Sequence, residues 1–572
     1  MRARTLWEYG IFGLLVLFLG LALLYPIGLT VRIGFARDIV AGTGWTLEHL
    51  VGVFRDPVLR AGVANSFLLA TATTVTSLLI ALPLAVVSAR HQFRGKGFWN
   101  AIVLVPLILP PFVGAIGYRF ILGRSGALNS LLGTEFDFLG AYRFWGVVAC
   151  QSLALYPIIF LNATAALANL DPALDEAAEN VGAGGWRRFF RITLPLIRPG
   201  LFAGGTIVFI WSFTELGTPL MFDLYRVTPV QIFNGIKEVN TSAQPYALTV
   251  LMLGSALLLY GVGRVLVGGR GHAMYSKASR AASERPLSAA GTVLANAMFG
   301  LVALLALLPH AGVVLAALMV DGSWYRTVLP GALTLEHFGT ALGHPLAFGS
   351  IKMSLGLASA ATVLNLLLGM LIAYLIVRTR VRGRSMLDGL SMLPLAVPGL
   401  VMAFGYVAMS LRWPFGTGQP LAGWVDVVGA EPNPIPLLIL AYAVRRLPYI
   451  VRSAVAGLQQ TSGELEEAAI NLGASTVRAV RSVIVPLIAA NLIAGGLLAF
   501  SFAMLEVSDS MVLAQQEKHF PITKAIFAFT DRLGDGVSIA SAMGVWGMAL
   551  LAVTLVGASV LMGRKLGAIF RV

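Results

Sequence analysis

The chain has 572 residues, of which 57% are hydrophobic and only 12% are charged, and its formal net charge at pH 7 is +14. Soluble domains carry about 25% charged residues, so this composition excludes an ordinary soluble protein. It also argues against a nucleic-acid-binding protein, because no soluble basic domain holds the excess positive charge.

Apolar runs of the length that a membrane helix requires follow one another along the chain. About 20 apolar residues cross a hydrocarbon layer of about 30 Å. In the first half such runs lie near residues 10–33, 62–88, 99–121, 144–168, 200–222 and 245–267. In the second half they lie near residues 292–319, 350–377, 387–410, 434–457, 489–513 and 540–563. The expected fold class is an all-α integral membrane protein with about twelve transmembrane helices. The first run is too long for a signal peptide and lacks a small-residue cleavage site after it, so we expect a retained helix.

Lysine and arginine residues indicate the orientation, because cytoplasmic loops hold an excess of both. With the amino terminus inside, the inside loops of the first half hold nine basic residues against seven in its outside loops. The nine are Arg2, Arg4, Arg90, Arg94, Lys96, Arg187, Arg188, Arg191 and Arg198. In the second half the same pattern is repeated by Arg378, Arg380, Arg382 and Arg384. Both termini are therefore expected in the cytoplasm, and much of the net charge reflects this topology and contact with anionic membrane lipid.

A charged segment interrupts the apolar runs twice, as EAAENVGAGGWRRFFRITLPL at 176–196 and as EAAINLGASTVRAVRSVIVPL at 467–487. Glu176 and Glu467 are 291 residues apart, and upstream Pro110 matches Pro398 with a shift of 288. The repeat predicts two homologous six-helix halves, residues 1–267 and 292–572, joined by a cytoplasmic linker at 268–291. Because six spans is an even number, both halves should cross the membrane in the same direction.

Each charged segment has the pattern of a short helix, a turn and a second helix. Asp171 is a candidate N-cap, Pro172 suits the first turn, and Gly182 is placed to end or bend the helix. We expect the pair of helices to lie along the cytoplasmic face. A surface helix that only touches lipid headgroups is the alternative, and the second copy in matching register argues against it.

The pattern Glu-Ala-Ala, three residues, Gly, nine residues, Ile-x-Leu-Pro resembles the EAA loop of the permease subunits of binding-protein-dependent ABC importers. The first copy fits throughout, and the second departs only by Val483 and Val485 at two apolar positions. The resemblance implies a type I ABC importer permease in a bacterial inner membrane. Its EAA loops, here 171–198 and 462–488, would dock as coupling helices in clefts on the ATPase subunits.

The resemblance also implies roles for the residues of the two loops. The glutamates would carry the salt-bridging contact, the alanines the close packing and the glycines the turn. The residues concerned are Glu176, Ala177, Ala178, Gly182, Glu467, Ala468, Ala469 and Gly473.

The chain lacks the sequence of an ATP-binding phosphate loop. No G-x-x-x-x-G-K-[ST] occurs, and residues 94–97, RGKG, lack its first glycine and its final hydroxyl. We therefore expect a permease that is not itself an enzyme and holds no cofactor. ATP and Mg would be bound by a separate ABC ATPase homodimer, and substrate would arrive from a periplasmic or lipid-anchored binding protein.

The transported substrate, or cargo, is less strongly indicated than the class of transporter. Two fused halves resemble the ferric-iron importers and the related thiamine and aminophosphonate permeases, and FTELGTPLMFDLYRVTP at 213–229 looks most like the ferric group. Thiamine, 2-aminoethylphosphonate or another small solute is the alternative cargo. An ion-coupled secondary transporter is the alternative class, but it gives the duplicated EAA segments no purpose.

Charged residues within the apolar runs are candidates for the translocation path, because such residues are expensive in a membrane. Glu215 and Glu506 occupy equivalent positions 291 residues apart, and Asp509 lies one turn beyond Glu506. These carboxylates could attract a cation, or each could be a structural, hydrogen-bonded group near the outer headgroups. Arg445 and Arg446 could bind an anion or pair with Glu506 or Asp509, and we favour the pairing. No firm metal site is predicted.

Overall fold

The computed structural model describes residues 2–40, 42–108, 110–239, 241–268 and 285–561. Most of the predicted linker 268–291 and the carboxyl terminus lie outside the described residues. The α-helices before the linker are Arg2–Leu19, Tyr25–Gly34, Glu48–Arg55, Pro57–Arg90, Lys96–Ile102, Val105–Ile108, Pro111–Leu122, Ala127–Leu132, Phe144–Ala168, Pro172–Asn180, Gly185–Arg188, Leu194–Thr214, Gly217–Met221, Thr228–Asn234 and Gln244–Gly268.

The second half continues with helices throughout. Its α-helices are Ala289–Leu318, Glu336–Gly343, Pro345–Arg378, Arg384–Met392, Gly399–Ser410, Ile435–Gln460, Glu464–Asn471, Thr476–Ala479, Val485–Leu487, Ala489–Met504, Ser508–Leu513, Ile522–Thr530 and Gly536–Leu561. Single π-helical turns occur at Gly20–Leu24, Phe189–Thr193 and Val480–Ile484, and 3₁₀ turns at Ala141–Arg143, Gly235–Glu238, Leu393–Leu395 and Glu517–His519. Two short parallel strands, His91–Gln92 and Arg285–Pro286, pair with each other.

Seven of the described helical segments are long and apolar enough to cross a membrane, or ten spans if each sharply bent pair of helices counts as one. The seven are Trp7–Gly34, Pro57–Arg90, Phe144–Ala168, Gly185–Thr214, Ala289–Leu318, Pro345–Arg378 and Gly536–Ala558. The predicted multi-pass, all-α membrane fold is therefore confirmed, whereas the predicted count of twelve transmembrane helices is not. The other two predicted runs form Gln244–Gly268 and Ile435–Gln460, and the latter carries three arginines.

Proline explains two of the three breaks. The bend between Arg384–Leu395 and Gly399–Ser410 is 101°, and that between Lys96–Leu107 and Pro111–Leu132 is 95°. The residues before the second helices are Pro398 and Pro110, and neither has the helical conformation: ψ is 136° at Pro398 and 124° at Pro110. Proline has no N–H to donate and disfavours helix in the residue before it, so each span is divided at this point. The sequence repeat had already matched these two prolines.

The chain forms two compact units that differ from the sequence halves. The first unit contains the described residues of 1–60, 231–253 and 335–561, and the second contains those of 61–230 and 254–334. In the first unit, Leu15 and Leu19 of the opening helix join a buried cluster with Ile372 and Leu447. In the second unit, Phe299 of the helix Ala289–Leu318 joins a buried cluster with residues of the first half. The opening helix of each half thus packs against elements of the other half, while the boundaries of the halves stay a prediction.

A glycine in each unit allows this packing. In the first unit, a Cβ atom on Gly405 would lie 2.5 Å from the carbonyl oxygen of Pro26. In the second unit, a Cβ atom on Gly117, the equivalent position, would lie 1.8 Å from the carbonyl oxygen of Pro309. Small residues let membrane helices approach closely enough for van der Waals contact between backbones. Tyr406 Oη also donates to the carbonyl oxygen of Ala22, at 2.8 Å, and Pro26 has no N–H to offer that carbonyl.

Alanine at either crossing glycine should destabilise the protein. We expect Gly405→Ala and Gly117→Ala each to lower the free energy of unfolding by about 2 kcal/mol, because the added methyl group overpacks a backbone contact. Gly356→Ala is the matched control, since nothing lies within 4 Å of a Cβ at that position. Thermal unfolding of the purified chain in one detergent measures the three changes. Equal melting temperatures for the crossing variants and Gly356→Ala would contradict the close approach.

Candidate functional site

The two EAA segments, residues 171–198 and 462–488, repeat one succession of elements. Each has a first helix, a tight turn, a second short helix and a π-helical turn that leads into the following span. In the first segment these are Pro172–Asn180, Gly185–Arg188 and Phe189–Thr193. In the second they are Glu464–Asn471, Thr476–Ala479 and Val480–Ile484. Single π-helical turns are often found at functional sites.

The turn has the same hydrogen bonds in both segments. Gly182 N donates to Glu179 O at 2.9 Å, and Ala183 N donates to Ala178 O at 2.9 Å. The equivalent bonds of Gly473 N and Ala474 N measure 2.9 and 3.0 Å. This is a Schellman motif, which requires a left-handed residue after the helix. Gly182 has φ 75° and Gly473 has φ 92°, so both residues adopt the left-handed conformation that favours glycine.

A large apolar side chain immediately before each turn glycine faces outward. Val181 is 83% exposed and Leu472 is 90% exposed, although both are aliphatic. Trp186, on the second helix of the first segment, is 79% exposed. Exposed apolar groups flanked by charge are typical of surfaces that bind another protein. Sequence reasoning missed these residues, although the register of the two copies makes Val181 and Leu472 equivalent.

The predicted contact residues divide between the surface and the interior. Glu176, Glu467, Ala177 and Ala468 are exposed, as a docking surface requires. Ala178 is only 5% exposed, so its methyl group packs within this chain. Ala469, its equivalent, is half-buried.

An ion-pair cluster holds the first EAA segment. Glu179 Oε1 lies 2.6 Å from Arg188 Nη1, and Arg285 donates to both carboxylate oxygens at 2.8 Å. Arg285 is in the short strand that pairs with His91–Gln92, so the segment is joined to the connection after Pro57–Arg90. Hydrogen bonds from Arg285 and Arg188 lower the pKa of Glu179 from its ordinary 4.5 to about 2. None of these contacts was predicted from the sequence.

A different cluster holds the second EAA segment. Glu466 is only 4% exposed, and Tyr374 Oη donates to its Oε1 at 2.6 Å. Arg378 Nε lies 4.0 Å from the other carboxylate oxygen. Tyr374 and Arg378 belong to the long helix Pro345–Arg378, so the second EAA segment is joined directly to a helix that is long and apolar enough to cross a membrane.

Glu215 lies at a break between helices and is satisfied by neutral groups. The helix Leu194–Thr214 ends before it, and its carboxylate accepts from Thr218 N at 2.9 and 3.0 Å. Gln151 Nε2 donates to the same carboxylate at 3.2 Å. Gln151 Oε1 in turn accepts from the hydroxyl groups of Ser212 and Thr73, at 2.5 and 3.3 Å. This network is compatible with a structural glutamate and leaves the residue half-buried.

Glu506 lies at the equivalent break in the other unit but is paired with arginine. Arg446 Nη2 contacts Glu506 Oε2, and Arg445 Nε lies 3.4 Å from the same oxygen. Arg445 Nη1 also lies 3.6 Å from Asp509 Oδ2. The exposed fraction of the Glu506 side chain is 3% and that of Asp509 is 0%. Two guanidinium groups therefore offset two buried carboxylates, which is the pairing that we favoured from the sequence.

The charged residues do not form a metal site by themselves. Within the described part of the chain, no group of three or more His, Cys, Asp and Glu side chains is placed to hold a metal ion. Glu215 and Glu506 belong to different compact units, and each has protein partners of its own. Their common role in a translocation path stays a prediction.

Removing the charge of Glu506 should lower the free energy of unfolding more than removing that of Glu215. Glu506→Gln leaves Arg445 and Arg446 with Asp509 alone, and an incomplete buried ion pair costs about 3 kcal/mol or more. Glu215→Gln keeps an acceptor for Thr218 N and should cost about 1 kcal/mol. Thermal unfolding of both full-length variants in the same detergent measures the difference. A larger loss for Glu215→Gln would contradict the assigned ion pairs.

The ion-pair cluster of Glu179 should be insensitive to mild acid. Since the pKa of Glu179 is lowered to about 2, its contribution to stability is complete above pH 4.5 and is lost as the pH falls toward 2. The melting temperatures of the wild type and Glu179→Gln should therefore differ by a constant amount between pH 8 and about pH 5. The control is Glu176→Gln, on the same helix. A difference that disappears by pH 5 would contradict the cluster.

Comparisons with known proteins identify the family of the chain. The sequence matches the family described as binding-protein-dependent transport system inner membrane component twice, over residues 81–268 and 365–563. It is 27% identical over 510 residues to the ferric transport system permease protein FbpB of Actinobacillus pleuropneumoniae, covering 87% of this chain and 70% of that protein. The putative ferric transport system permease protein FbpB 1 of Haemophilus influenzae is 28% identical over 481 residues, covering 82% of this chain and 71% of that protein.

A further relative aligns with part of the chain. The molybdenum transport system permease protein ModB of Haemophilus influenzae is 35% identical over 160 residues, covering 27% of this chain and 69% of that protein. Each of the two family matches contains one EAA segment. The family and these relatives are transport permeases rather than enzymes, which confirms that expectation. The chain therefore belongs to the family of binding-protein-dependent transport system inner membrane components, and it is a multi-pass permease subunit of an ABC importer.

Proposed function

We propose that this permease carries ferric iron, delivered by an external binding protein, and that a separate ATPase homodimer drives it. The observation that carries the proposal is the duplicated EAA segment, with the same turn in both copies and an equivalent exposed aliphatic residue in each. The cargo is supported by relatives that are named ferric transport permeases and align with most of the chain. The binding protein would be periplasmic or lipid-anchored.

In this proposal, Val181 and Leu472 insert into the clefts of the two ATPase subunits. Large apolar groups in the centre of an interface contribute most of the binding energy when they are fully desolvated. Glu176 and Glu467 flank them and would pair with basic groups at the rim, which fixes the register of docking. Both segments, and with them both termini, would then face the cytoplasm.

Movement of the ATPase would reach the membrane helices through the two clusters that hold the segments. In the first segment the path runs from Glu179 to Arg285 and the connection at His91–Gln92. In the second it runs from Glu466 to Tyr374 and the helix Pro345–Arg378. Alternating access then follows from motion of the spans around a central pathway. Gln244–Gly268 and Ile435–Gln460 would complete a set of twelve spans.

The charged residues of the spans take two roles in this proposal. Arg445 and Arg446 would hold the broken helix at Glu506, with Asp509 as a second partner. Within the described part of the chain the hydrogen-bond partners of Glu215 are neutral, so its charge is the more available to a passing cation. Hard carboxylate oxygens suit ferric iron.

Uptake in liposomes tests cargo and coupling together. The permease would be reconstituted with its ATPase and binding protein, and the accumulation of labelled ferric iron would be followed with ATP on the ATPase side. We expect ATP-dependent uptake, and we expect Val181→Glu/Leu472→Glu to reduce it more than tenfold, because losing a buried apolar anchor costs about 2 kcal/mol. Glu176→Arg/Glu467→Arg should also lose uptake.

The matched control is Val181→Ile/Leu472→Met, which keeps the apolar surface and should transport normally. Uptake of thiamine, 2-aminoethylphosphonate or molybdate in place of iron would support the ABC importer but contradict ferric iron as its cargo. Uptake by an ion gradient without the ATPase would contradict the importer. Normal, ATP-coupled transport by Val181→Glu/Leu472→Glu would contradict the docking role of these two residues.

A further inference from the structure

A narrow cleft of about 190 Å³ lies in the first compact unit, between the amino-terminal helix and the second EAA segment. Ile11, Leu371 and Leu375 form much of its apolar wall, and Thr476 of the EAA segment borders it. Trp7, also at the cleft, is 62% exposed. Tryptophan at this position is typical of the interface between hydrocarbon and headgroups.

Leu371 and Leu375 belong to the long helix Pro345–Arg378. A basic loop, residues 378–384, begins at the end of this helix, just beyond the cleft. Its sequence, RTRVRGR, holds four arginines and no acidic residue. Contacts with the amino-terminal helix fix the loop beside the cleft, because Arg382 N donates to Tyr9 Oη at 3.2 Å. Gly383 has φ 98°, and a Cβ atom on it would lie 2.9 Å from the ring of Phe12.

Arg378 and Arg384 donate to backbone carbonyl groups of the protein, and the other two arginines have exposed side chains. Arg378 donates to the carbonyl oxygens of Leu458 and Thr461, at 3.1 and 2.8 Å. Arg384 donates to the carbonyl oxygen of Thr379 at 2.9 Å. The side chains of Arg380 and Arg382 are exposed.

We propose that this cleft binds an anionic phospholipid of the cytoplasmic leaflet. One acyl chain would lie along Ile11, Leu371 and Leu375, and the phosphate would contact Arg380 and Arg382. Basic groups at the cytoplasmic ends of membrane helices bind anionic headgroups in this way. Glu8 also borders the cleft, and the basic loop outweighs its single charge.

The bound lipid would contact the elements that hold the second EAA segment. Tyr374 borders the cleft and donates to Glu466, and Thr476 begins the second helix of the segment. An acyl chain in the cleft would therefore restrict the motion of this segment. The inference concerns binding of lipid to this chain and depends on neither the cargo nor the ATPase.

Native mass spectrometry of the full-length chain in detergent tests the site. Titration with phosphatidylglycerol and with phosphatidylcholine of the same acyl chains would give an apparent Kd for the first bound lipid. We expect the wild type to prefer phosphatidylglycerol. Arg382→Ala should weaken its binding about fivefold, as expected for one arginine near an anionic headgroup. Leu371→Trp, which fills the cleft, should abolish the preference.

Two controls match these variants in the first half of the chain. Arg94 is the sequence equivalent of Arg382, and Leu79, which is 69% exposed, lies on the equivalent long helix. Arg94→Ala and Leu79→Trp should bind phosphatidylglycerol as the wild type does. Arg382→Ala changes an exposed side chain, so it tests the site even where Leu371→Trp fails to fold. Equal weakening by Arg94→Ala, or equal binding of phosphatidylcholine by the wild type, would overturn the proposal.

Discussion

The close approach of a glycine to a proline carbonyl, made once in each compact unit, is the contact on which the arrangement of the chain depends. Gly405 admits the backbone of Pro26, and Gly117 admits that of Pro309. Lipid provides no hydrophobic force between helices, so such contacts and interhelical hydrogen bonds must hold membrane helices together. Because each opening helix belongs to one sequence half and its glycine partner to the other, neither unit can be built from one half alone.

Local rules explain which features could be predicted from the sequence. The turns of the EAA segments are determined by glycine at a left-handed position, and the broken spans by proline without an N–H donor. Both effects act within a few residues, so Gly182, Gly473, Pro110 and Pro398 carry enough information by themselves. Duplication strengthened the prediction of the turns, because the glycine occurs twice in register. Pro110 and Pro398 were matched as part of the repeat, but the breaks at these residues were not predicted.

Contacts between distant residues could not be predicted in the same way. One partner of Glu179 is Arg285, which is 106 residues away, and one partner of Glu466 is Tyr374, which is 92 residues away. The local sequence around Arg285 or Tyr374 does not identify the glutamate that each contacts. Arg445 and Arg446 are an intermediate case, because burial alone predicts that they have counter-charges but not whether these belong to the protein or to a ligand. The structure places both against Glu506.

The opening helix of each half packs against the other half, and this packing has a consequence for the synthesis of the protein. The helix Tyr25–Gly34 enters the membrane early, but its partner Gly399–Ser410 is made more than 360 residues later. At about 5–20 residues per second, this helix waits roughly 20–75 seconds in lipid before its glycine crossing can form. Ala289–Leu318 finds Gly117 already inserted. The second unit can thus assemble during translation, whereas the first is completed only near the end of the chain.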